Sequence, residues 1–454
     1  MTTKGNVPST PTPPARLRRS LNLLETTVGG VGIILGAGIY ALVGEAAGRA
    51  GNTVWISFLI AALLAALTGL SYAEMASAYP KAGADYEYTR RAFGRWPASV
   101  VGTVIISGNL VAAGAVSLGF GGYFSTFVDS GPTIPALFAL ALAAAIAVYG
   151  IREAVWTSIA LTFVEFSGLV LIIAIGVPHF GDVDLLDGSA GLTGIFSGAA
   201  LVMFAFIGFE QIATLAEETE DARSVVPRAL LLSIAVTTAV YALVAIAAVS
   251  VLGAQALSSS DAPLADVASN VLGGGAADTL AVIALFSTFN TVLLLLVTAS
   301  RLAYGMADSG SLPQALSWVQ PRFRTPVWAI LACWLVACAF ALIGNISLVA
   351  ESANFAIFIG FAAVSLSLIA LRFAQPDLQR PFRVPLQIGR LPLLPIAALA
   401  SIAVMIANLR VEAVLIGIAL VVLGAGFATV FPREGEPPAE SPVGNDPDGT
   451  SSAP

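Results

Sequence analysis

Charged residues are scarce in this sequence. Only 11% of its 454 residues are Asp, Glu, Lys or Arg, whereas 57% are hydrophobic, and the mean hydropathy is +0.87. A soluble domain carries roughly a quarter charged residues, so this chain has too few to cover a surface that faces water. The deficit predicts a protein embedded in a lipid bilayer. The net charge of -7 and the lack of an extended basic patch argue against a nucleic-acid partner.

The residue types that build catalytic and metal centres are also rare. The chain has one histidine and two cysteines, and Cys333 and Cys338 lie within a single apolar run. This spacing fits neither a disulfide framework nor a metal site, so we expect both cysteines to be small core residues. No paired acids, histidine cluster or nucleophile motif occurs at one depth, which argues against a membrane enzyme. No GxxxxGK[ST] motif is present, and no cofactor or metal is expected.

Long apolar runs fill most of the chain. A hydrocarbon core about 30 Å thick requires about 20 helical residues to cross it, and about twelve segments meet that length. Because a spanning segment must satisfy its own backbone hydrogen bonds, helices are the expected form. We therefore predict an all-α polytopic membrane protein with 12 transmembrane helices. The predicted spans are 24–46, 53–74, 98–127, 133–149, 155–176, 193–216, 229–252, 277–307, 326–343, 347–372, 391–409 and 411–430.

The chain ends and the cations indicate the topology. Residues 1–19 and 432–454 are polar and rich in proline, and we expect disordered cytoplasmic tails around a transporter domain at 20–431. No cleavable signal is expected before the first span. With both termini inside, 19 of the 21 Lys and Arg residues lie on the cytoplasmic side, and only Arg49 and Arg410 lie outside. This asymmetry predicts a multi-pass protein of the plasma membrane with both termini cytoplasmic.

Two spans are interrupted by glycine. The first reads TVGGVGIILGAGIYALVG, with Gly36-Ala37-Gly38 at its midpoint, and the sixth contains Ile207-Gly208-Phe209-Glu210. Either glycine motif alone is also explained by close helix packing. Breaks at corresponding positions of two halves, however, are typical of inverted-repeat transporters with a site at the membrane midplane. Free amides at one half-helix attract a carboxylate, and free carbonyls attract a cation, so such a site suits an amino acid.

Two acidic residues lie well inside predicted spans. A charge near the bilayer centre costs about 2.5–3.5 kcal/mol on insertion scales, so Glu165 must face a wet cavity, pair with another group, or be protonated. A neutral Glu165 bonded to another helix is the structural alternative to a coupling or gating role. Glu210 follows the second break. It either caps the freed amides of its own helix, or carries protons or contacts the substrate.

Five stretches together resemble one family. They are GAGIY at 36–40, AEMASAYPKAGADYEYTRRAFG at 73–94, FAFIGFEQIATLAEETEDARSVVPRAL at 204–230, SRLAYGMADSGSLPQALSWVQPRFRTPVW at 300–328 and RPFRVP at 380–385. In this order they resemble the amino acid–polyamine–organocation permeases, particularly the cationic amino acid transporter branch and its bacterial relatives. The resemblance implies a leucine-transporter-type fold with a first repeat at 24–176, an inverted second repeat at 193–372 and two additional helices at 391–430.

The same resemblance implies a substrate site made of backbone groups. The residues so assigned are Ile34, Gly36, Ala37, Gly38, Phe204, Ala205 and Ile207. The amides of 36–38 would bind the substrate carboxylate, and the carbonyls of Ile34, Phe204 and Ile207 would bind the ammonium. The Phe204 ring would cover the substrate, and the segment 73–95 would close the inner mouth.

One position departs from the family pattern. Several relatives have a lysine in the fifth span where this chain has Glu165, and a glutamate cannot replace a bound cation as a lysine can. It could instead take up a proton, or attract sodium or a substrate cation, and Ser287 and Thr288 could offer oxygen ligands to sodium. Asn109 and Asn290 either line the pocket or bond between helices.

The predicted function is secondary active transport of amino acids by alternating access, with protons as the expected partner besides the substrate and the lipid bilayer. The alternatives are an exchanger of amino acids, polyamines or ethanolamine and, from a different class, an ion channel. A channel requires a continuous polar or charged ring, and no predicted span presents one.

Overall fold

The computed structural model describes residues 21–79, 84–149, 151–217 and 219–431, so both predicted tails lie outside the described residues. The described chain is almost entirely helical. The helices are α1 (Leu23–Ile34), α2 (Ala37–Ala50), α3 (Val54–Ala78), α4 (Ala84–Phe93), α5 (Arg95–Phe124), α6 (Thr133–Tyr149), α7 (Ile151–Gly176), α8 (Gly191–Val202), α9 (Ala222–Leu252), α10 (Ala254–Ser258), α11 (Pro263–Leu272), α12 (Gly274–Asp308), α13 (Val327–Ala341), α14 (Ile346–Ala374), α15 (Leu393–Ala407) and α16 (Val411–Val430). A two-residue hairpin, β1 (Gln387–Ile388) and β2 (Leu391–Pro392), joins α14 to α15.

The predicted spans and the helices agree closely. Within the described residues, eight helical runs are long and apolar enough to cross a membrane, and four shorter apolar helices accompany them. Each predicted span coincides with a helix, except that the first is divided into α1 and α2 and the sixth continues beyond α8 as two 3₁₀ segments. The polytopic all-α fold is therefore confirmed. The division into repeats at 24–176 and 193–372 stays a prediction.

Local signals explain where several helices begin. Asn22 caps α1, because its side chain accepts a hydrogen bond from Glu25 N and the Glu25 carboxylate accepts one from Asn22 N. This reciprocal arrangement satisfies two amides that the first helical turn leaves free. Asn345 caps α14 in the simpler way, with its side-chain oxygen accepting from Leu348 N at 2.9 Å.

The bundle is built around α5, which packs against α12, α14, α6 and α13, while α3 packs against α9. Small residues let other elements approach closely. A Cβ added at Gly44 would lie 2.5 Å from the carbonyl oxygen of Leu257, and one at Gly48 would lie 2.9 Å from Ser258 Cβ. These two glycines, one helical turn apart, therefore admit α10 onto the face of α2.

The loops between spans divide the molecule into two sides. Helix α4, the loop 309–326 and the loop 375–392 all fall on one side by span parity, and we call it the arginine-rich side. On the opposite side the two outlying cations meet one acid. Arg49 forms an ion pair with the fully buried Glu351, whose other oxygen accepts from Arg410 N at 2.8 Å. The only two cations that the predicted topology places outside, Arg49 and Arg410, thus belong to one cluster around Glu351.

Candidate functional site

The first span breaks where its glycines predicted. Helix α1 ends at Ile34, Leu35 and Gly36 are extended, and α2 begins at Ala37. The first turn of α2 leaves amides without partners inside the helix. The N-cap residue Gly36 has no side chain that could cap these amides. The positive end of α2 therefore points into the break.

The sixth span also loses its α-helical form. Helix α8 ends at Val202, a 3₁₀ segment covers Met203–Phe206, and a second one covers Phe209–Glu217. Gly208 lies between them with a φ of +118°, and a Cβ there would come within 2.9 Å of the Ile33 carbonyl oxygen. Because both the backbone angle and the space exclude a side chain, glycine is required at this position.

The two breaks lie against each other. A Cβ added at Gly38 would be 2.6 Å from Ala205 Cα, so α2 approaches the backbone of the sixth span directly. Beside this contact lies a void lined by Phe204, Ala41, Leu42, Val116 and two further residues, and it does not admit even a water molecule. In the described conformation the contact between the breaks is therefore closed, with no room for a ligand in this void.

A tyrosine that sequence reasoning missed holds the two breaks together. The hydroxyl of Tyr241, in α9, lies 2.9 Å from the Ile34 carbonyl oxygen and 3.0 Å from the Ala205 carbonyl oxygen. Its ring is fully buried and packs edge-on against Phe206. The Tyr241 hydroxyl thus satisfies carbonyl groups that the breaks release from their helices.

We expect Tyr241→Phe to destabilise the closed conformation. Loss of the hydroxyl leaves the carbonyls of Ile34 and Ala205 without their shared donor, and a buried unsatisfied polar group costs about 1–3 kcal/mol. The thermal midpoint of the purified protein should fall and uptake should decrease. Tyr304→Phe, a change in the partly exposed part of α12, is the matched control. An unchanged midpoint would contradict the bridging role.

Several backbone groups assigned to the substrate already have partners inside the protein. Thr291 Oγ1, in α12, accepts a hydrogen bond from Ala37 N at 3.2 Å. The Phe204 carbonyl accepts from Ile207 N at 3.3 Å, and Tyr241 bonds the Ile34 carbonyl. In this conformation these backbone groups bond to other groups of the protein, and a substrate that used them would have to displace those contacts.

The carboxyl group of Glu165 lies in the interior of the protein. Its side chain in α7 is 1% exposed, and neither carboxyl oxygen has a partner among the described residues. The Ser287 hydroxyl interacts with the carboxyl without reaching hydrogen-bond geometry, and it too lacks a partner in that part of the chain. The Tyr40 hydroxyl donates to the backbone carbonyl of Glu165 at 2.7 Å and not to the carboxyl. An ionised carboxylate in such a place is costly.

Glu210 acts as a cap in this conformation. Its Oε2 accepts a hydrogen bond from Gly208 N at 2.9 Å, which matches the structural alternative for this residue. Towards the arginine-rich side it faces Asp85, at the start of α4, and Asp85 accepts a hydrogen bond from the Tyr72 hydroxyl. Helix α4 also packs against α5 and α14. It also contacts the 3₁₀ segment Phe209–Glu217 and so lies next to the second break. The resemblance predicts that this segment of the chain closes the inner mouth.

Burial raises the pKa of Asp85 to about 6, although the hydrogen bond from Tyr72 opposes that shift. Because the folded protein then holds this proton more tightly than the unfolded chain, Asp85 stabilises the fold at low pH. That contribution should be lost as the pH rises through about 6. We expect the thermal midpoint of the wild type to fall over this range and Asp85→Asn to remove that part of the fall. Asp377→Asn, on an exposed loop, is the control; an identical pH profile for Asp85→Asn would contradict the prediction.

The other candidate polar residues differ in whether their side chains have hydrogen-bond partners. Asn109 and Asn290 are both buried, and Asn290 Oδ1 has no partner in the described part of the chain. The Thr288 hydroxyl donates to the Ala284 carbonyl one turn earlier in its own helix, at 2.7 Å. Thr288 therefore back-bonds in α12. Among the described residues no group of three or more His, Cys, Asp or Glu side chains is placed to hold a metal ion.

Two further buried polar side chains of α14, Asn354 and Glu351, escaped sequence reasoning. Asn354, in α14, donates from Nδ2 to the carbonyls of Ala200 and Leu201 at 2.7 and 3.1 Å. It thereby satisfies carbonyls at the end of α8, where the α-helical hydrogen bonds stop. Glu351 lies one turn earlier. The same depth argument that identified Asn109 and Asn290 would have found Asn354.

The family stretches at 73–94 and 380–385 contact each other on the arginine-rich side. Glu74 is fully buried and forms a two-point ion pair with Arg372, in which Nε lies 2.9 Å from Oε1. Its Oε2 accepts from Val384 N at 2.7 Å, and Arg380 lies 3.4 Å away. Removing one partner of a buried pair is costly, so these residues fix the loop that leads from α14 into α15.

Comparisons with known proteins agree with this architecture. A sequence model described as "Amino acid permease" matches residues 21–429. The chain is 30% identical over 421 residues to the branched-chain amino acid permease BcaP of Bacillus subtilis, covering 87% of this chain and 88% of that one. It is 26% identical to the methylthioribose transporter of the same bacterium, covering 84% and 86% of the two chains. It is 29% identical to the human cationic amino acid transporter 4, covering 79% of this chain and 60% of that one.

These relatives are permeases and transporters, which indicates a transporter and not an enzyme. The match covers both breaks and all of the helices described above except the last residue of α16. The chain belongs to the amino acid permease family.

Proposed function

We propose that this protein is a secondary active transporter that moves amino acids across the plasma membrane by alternating access, with both termini cytoplasmic. The observation that carries the proposal is the contact between the two breaks, where the amide end of α2 meets the non-α backbone at Ala205. Amides at a helix start bind a carboxylate, and free carbonyls bind an ammonium group. Related permeases named for branched-chain and cationic amino acids support this substrate class.

The environment of Glu165 supports coupling of transport to protons. The carboxyl group is buried without a hydrogen bond in the described, closed conformation, so that conformation favours the neutral form. An ionised Glu165 would raise the free energy of closing, whereas a proton taken up from one side would permit it. Closing and reopening would thereby carry a proton together with the substrate.

Counterflow with a panel of labelled amino acids and amines tests the substrate class. The protein is reconstituted in vesicles, with and without a pH gradient. Exchange of amino acids that carry both a carboxylate and an ammonium group, stimulated by an inward proton gradient, supports the proposal. Exchange restricted to polyamines or ethanolamine would overturn the carboxylate site, and currents far above carrier rates would indicate a channel.

A substrate without a carboxylate is the second candidate, because one relative is named for methylthioribose. Such a sugar cannot use the amide end of α2 as a carboxylate does. Including methylthioribose in the same panel separates the two candidates, since only one class of compound should exchange with the loaded label.

A further inference from the structure

A basic cavity lies on the arginine-rich side, away from both breaks. It occupies about 270 Å³ between the end of α14 and the hairpin β1–β2. Four arginines line it, together with one acidic side chain and one amide. These residues are Arg372, Arg380, Arg383, Arg390, Asp377 and Gln387.

Two of the four arginines are already neutralised, and two are not. Arg372 and Arg380 both pair with Glu74, as described above. Arg383 and Arg390 are exposed, and neither has a hydrogen bond or ion pair to a described residue. Counting Asp377 and Glu74 against the four arginines leaves two positive charges in the cavity. Burial lowers the pKa of Arg380; Glu74 and Tyr79 oppose that shift, and the neighbouring Arg372 and Arg383 add to it. The guanidinium groups around the cavity therefore lie close enough to repel one another.

The margin of the cavity is apolar and exposed. Leu386 and Ile388, on the hairpin, are 66% and 70% exposed, and Phe373, on the last turn of α14, is 51% exposed. Leu386 has a φ of +59°, a conformation that costs free energy for a residue with a side chain. Burial inside the protein does not offset that cost, because the side chain points outward. The exposed apolar margin next to unpaired arginines matches the boundary between headgroups and acyl chains.

We propose that this cavity binds the phosphate of an anionic membrane phospholipid. Arg383 and Arg390 would bind the phosphate oxygens, for which guanidinium groups offer paired donors. The acyl chains would cover Phe373, Leu386 and Ile388. A free phosphate would use the arginines alone and would leave the apolar margin exposed to water. The bound lipid would hold the hairpin against the membrane and steady the start of α15.

The test uses the full-length protein in detergent, titrated with phosphatidylglycerol, phosphatidylcholine or inorganic phosphate. Binding is followed by native mass spectrometry and by the thermal midpoint. Phosphatidylglycerol should bind and raise the midpoint, whereas the other two probes should have little effect. The double variant Arg383→Gln/Arg390→Gln should weaken phosphatidylglycerol binding about thirtyfold, as expected for two surface cations. Replacing both arginines with lysine, which keeps the charges but not the paired donors, should restore part of the affinity.

Arg322→Gln/Arg324→Gln is the matched control, since it removes two exposed cations from another loop of the same side. Unchanged phosphatidylglycerol binding in the Arg383/Arg390 variant would overturn the site. Equal stabilisation by inorganic phosphate would overturn the assignment to a lipid, and equal binding of phosphatidylcholine would overturn the role of the arginines. Because the readout is lipid binding, a failure here leaves the proposed transport function untouched.

Discussion

Replacing Gly36 with leucine is expected to abolish amino acid uptake, and replacing it with alanine is expected to reduce uptake at least tenfold. Gly36 precedes the first turn of α2, whose amides have no partner within the helix, and a side chain there would hold the substrate carboxylate away from them. A hydrogen bond to a charged group contributes about 1.5–3 kcal/mol, which corresponds to a tenfold to hundredfold change. Initial rates of labelled uptake in proteoliposomes, normalised to inserted protein, measure the effect.

The alanine variant separates substrate binding from folding. Gly36 has an extended backbone with a φ of -136°, and an added Cβ would meet only Thr291 Oγ1, at 3.3 Å, in tight contact. Gly36→Ala should therefore fold. Gly38→Ala is the contrasting variant, because its Cβ would lie 2.6 Å from the backbone at Ala205 and should lower the thermal midpoint. Wild-type uptake in a well-folded Gly36→Ala protein would defeat the assignment of Gly36 to the substrate site.

Replacing Glu165 with glutamine is expected to remove the stimulation of uptake by an inward proton gradient while leaving counterflow exchange active. Glutamine resembles the neutral carboxyl in shape, so the closed conformation should form as in the wild type. It cannot release a proton, so accumulation of substrate against its gradient should be lost. Initial rates of uptake measured across a series of imposed pH gradients show how strongly each protein responds to the proton gradient.

Two control variants test whether the effect is specific to a carboxyl group at position 165. Glu165→Asp keeps a carboxyl group and should keep part of the pH response. Glu412→Gln changes an exposed acid at the start of α16 and should keep all of it. A pH profile for Glu165→Gln that matches the wild type would place the coupling group elsewhere, and Glu210 and Asp85 would be the next carboxyls to replace.

The spans and the break positions were predictable because their signals are local. Hydropathy locates about 20 apolar residues at a time, and Gly36 and Gly208 mark the two breaks within those runs. The same hydropathy does not distinguish an α-helix from a 3₁₀ helix. The 3₁₀ form of Phe209–Glu217 was therefore beyond the reach of the sequence pattern.

The partners of the broken backbone were not predictable for a different reason. Tyr241 reaches Ile34 across 207 residues of sequence, and Thr291 reaches Ala37 across 254. Such contacts depend on how the helices pack, and a single sequence records no pairing between them. The signal that the sequence does offer is a polar or charged residue far from the ends of a predicted span. It identified Glu165, whose buried carboxyl has no hydrogen-bond partner in the part of the chain that the structure describes. The same signal does not single out a tyrosine in an apolar helix.

Glu74 and Glu351 together secure both ends of α15. Glu74 binds Val384 N before that helix, and Glu351 binds Arg410 N after it. A shortened chain ending after α14 would keep one arginine on each acid but lose the main-chain donors and Arg380. The ten-helix unit would then carry two buried carboxylates, at opposite faces, that lack part of their hydrogen bonding. Helices α15 and α16 are therefore integral to its stability.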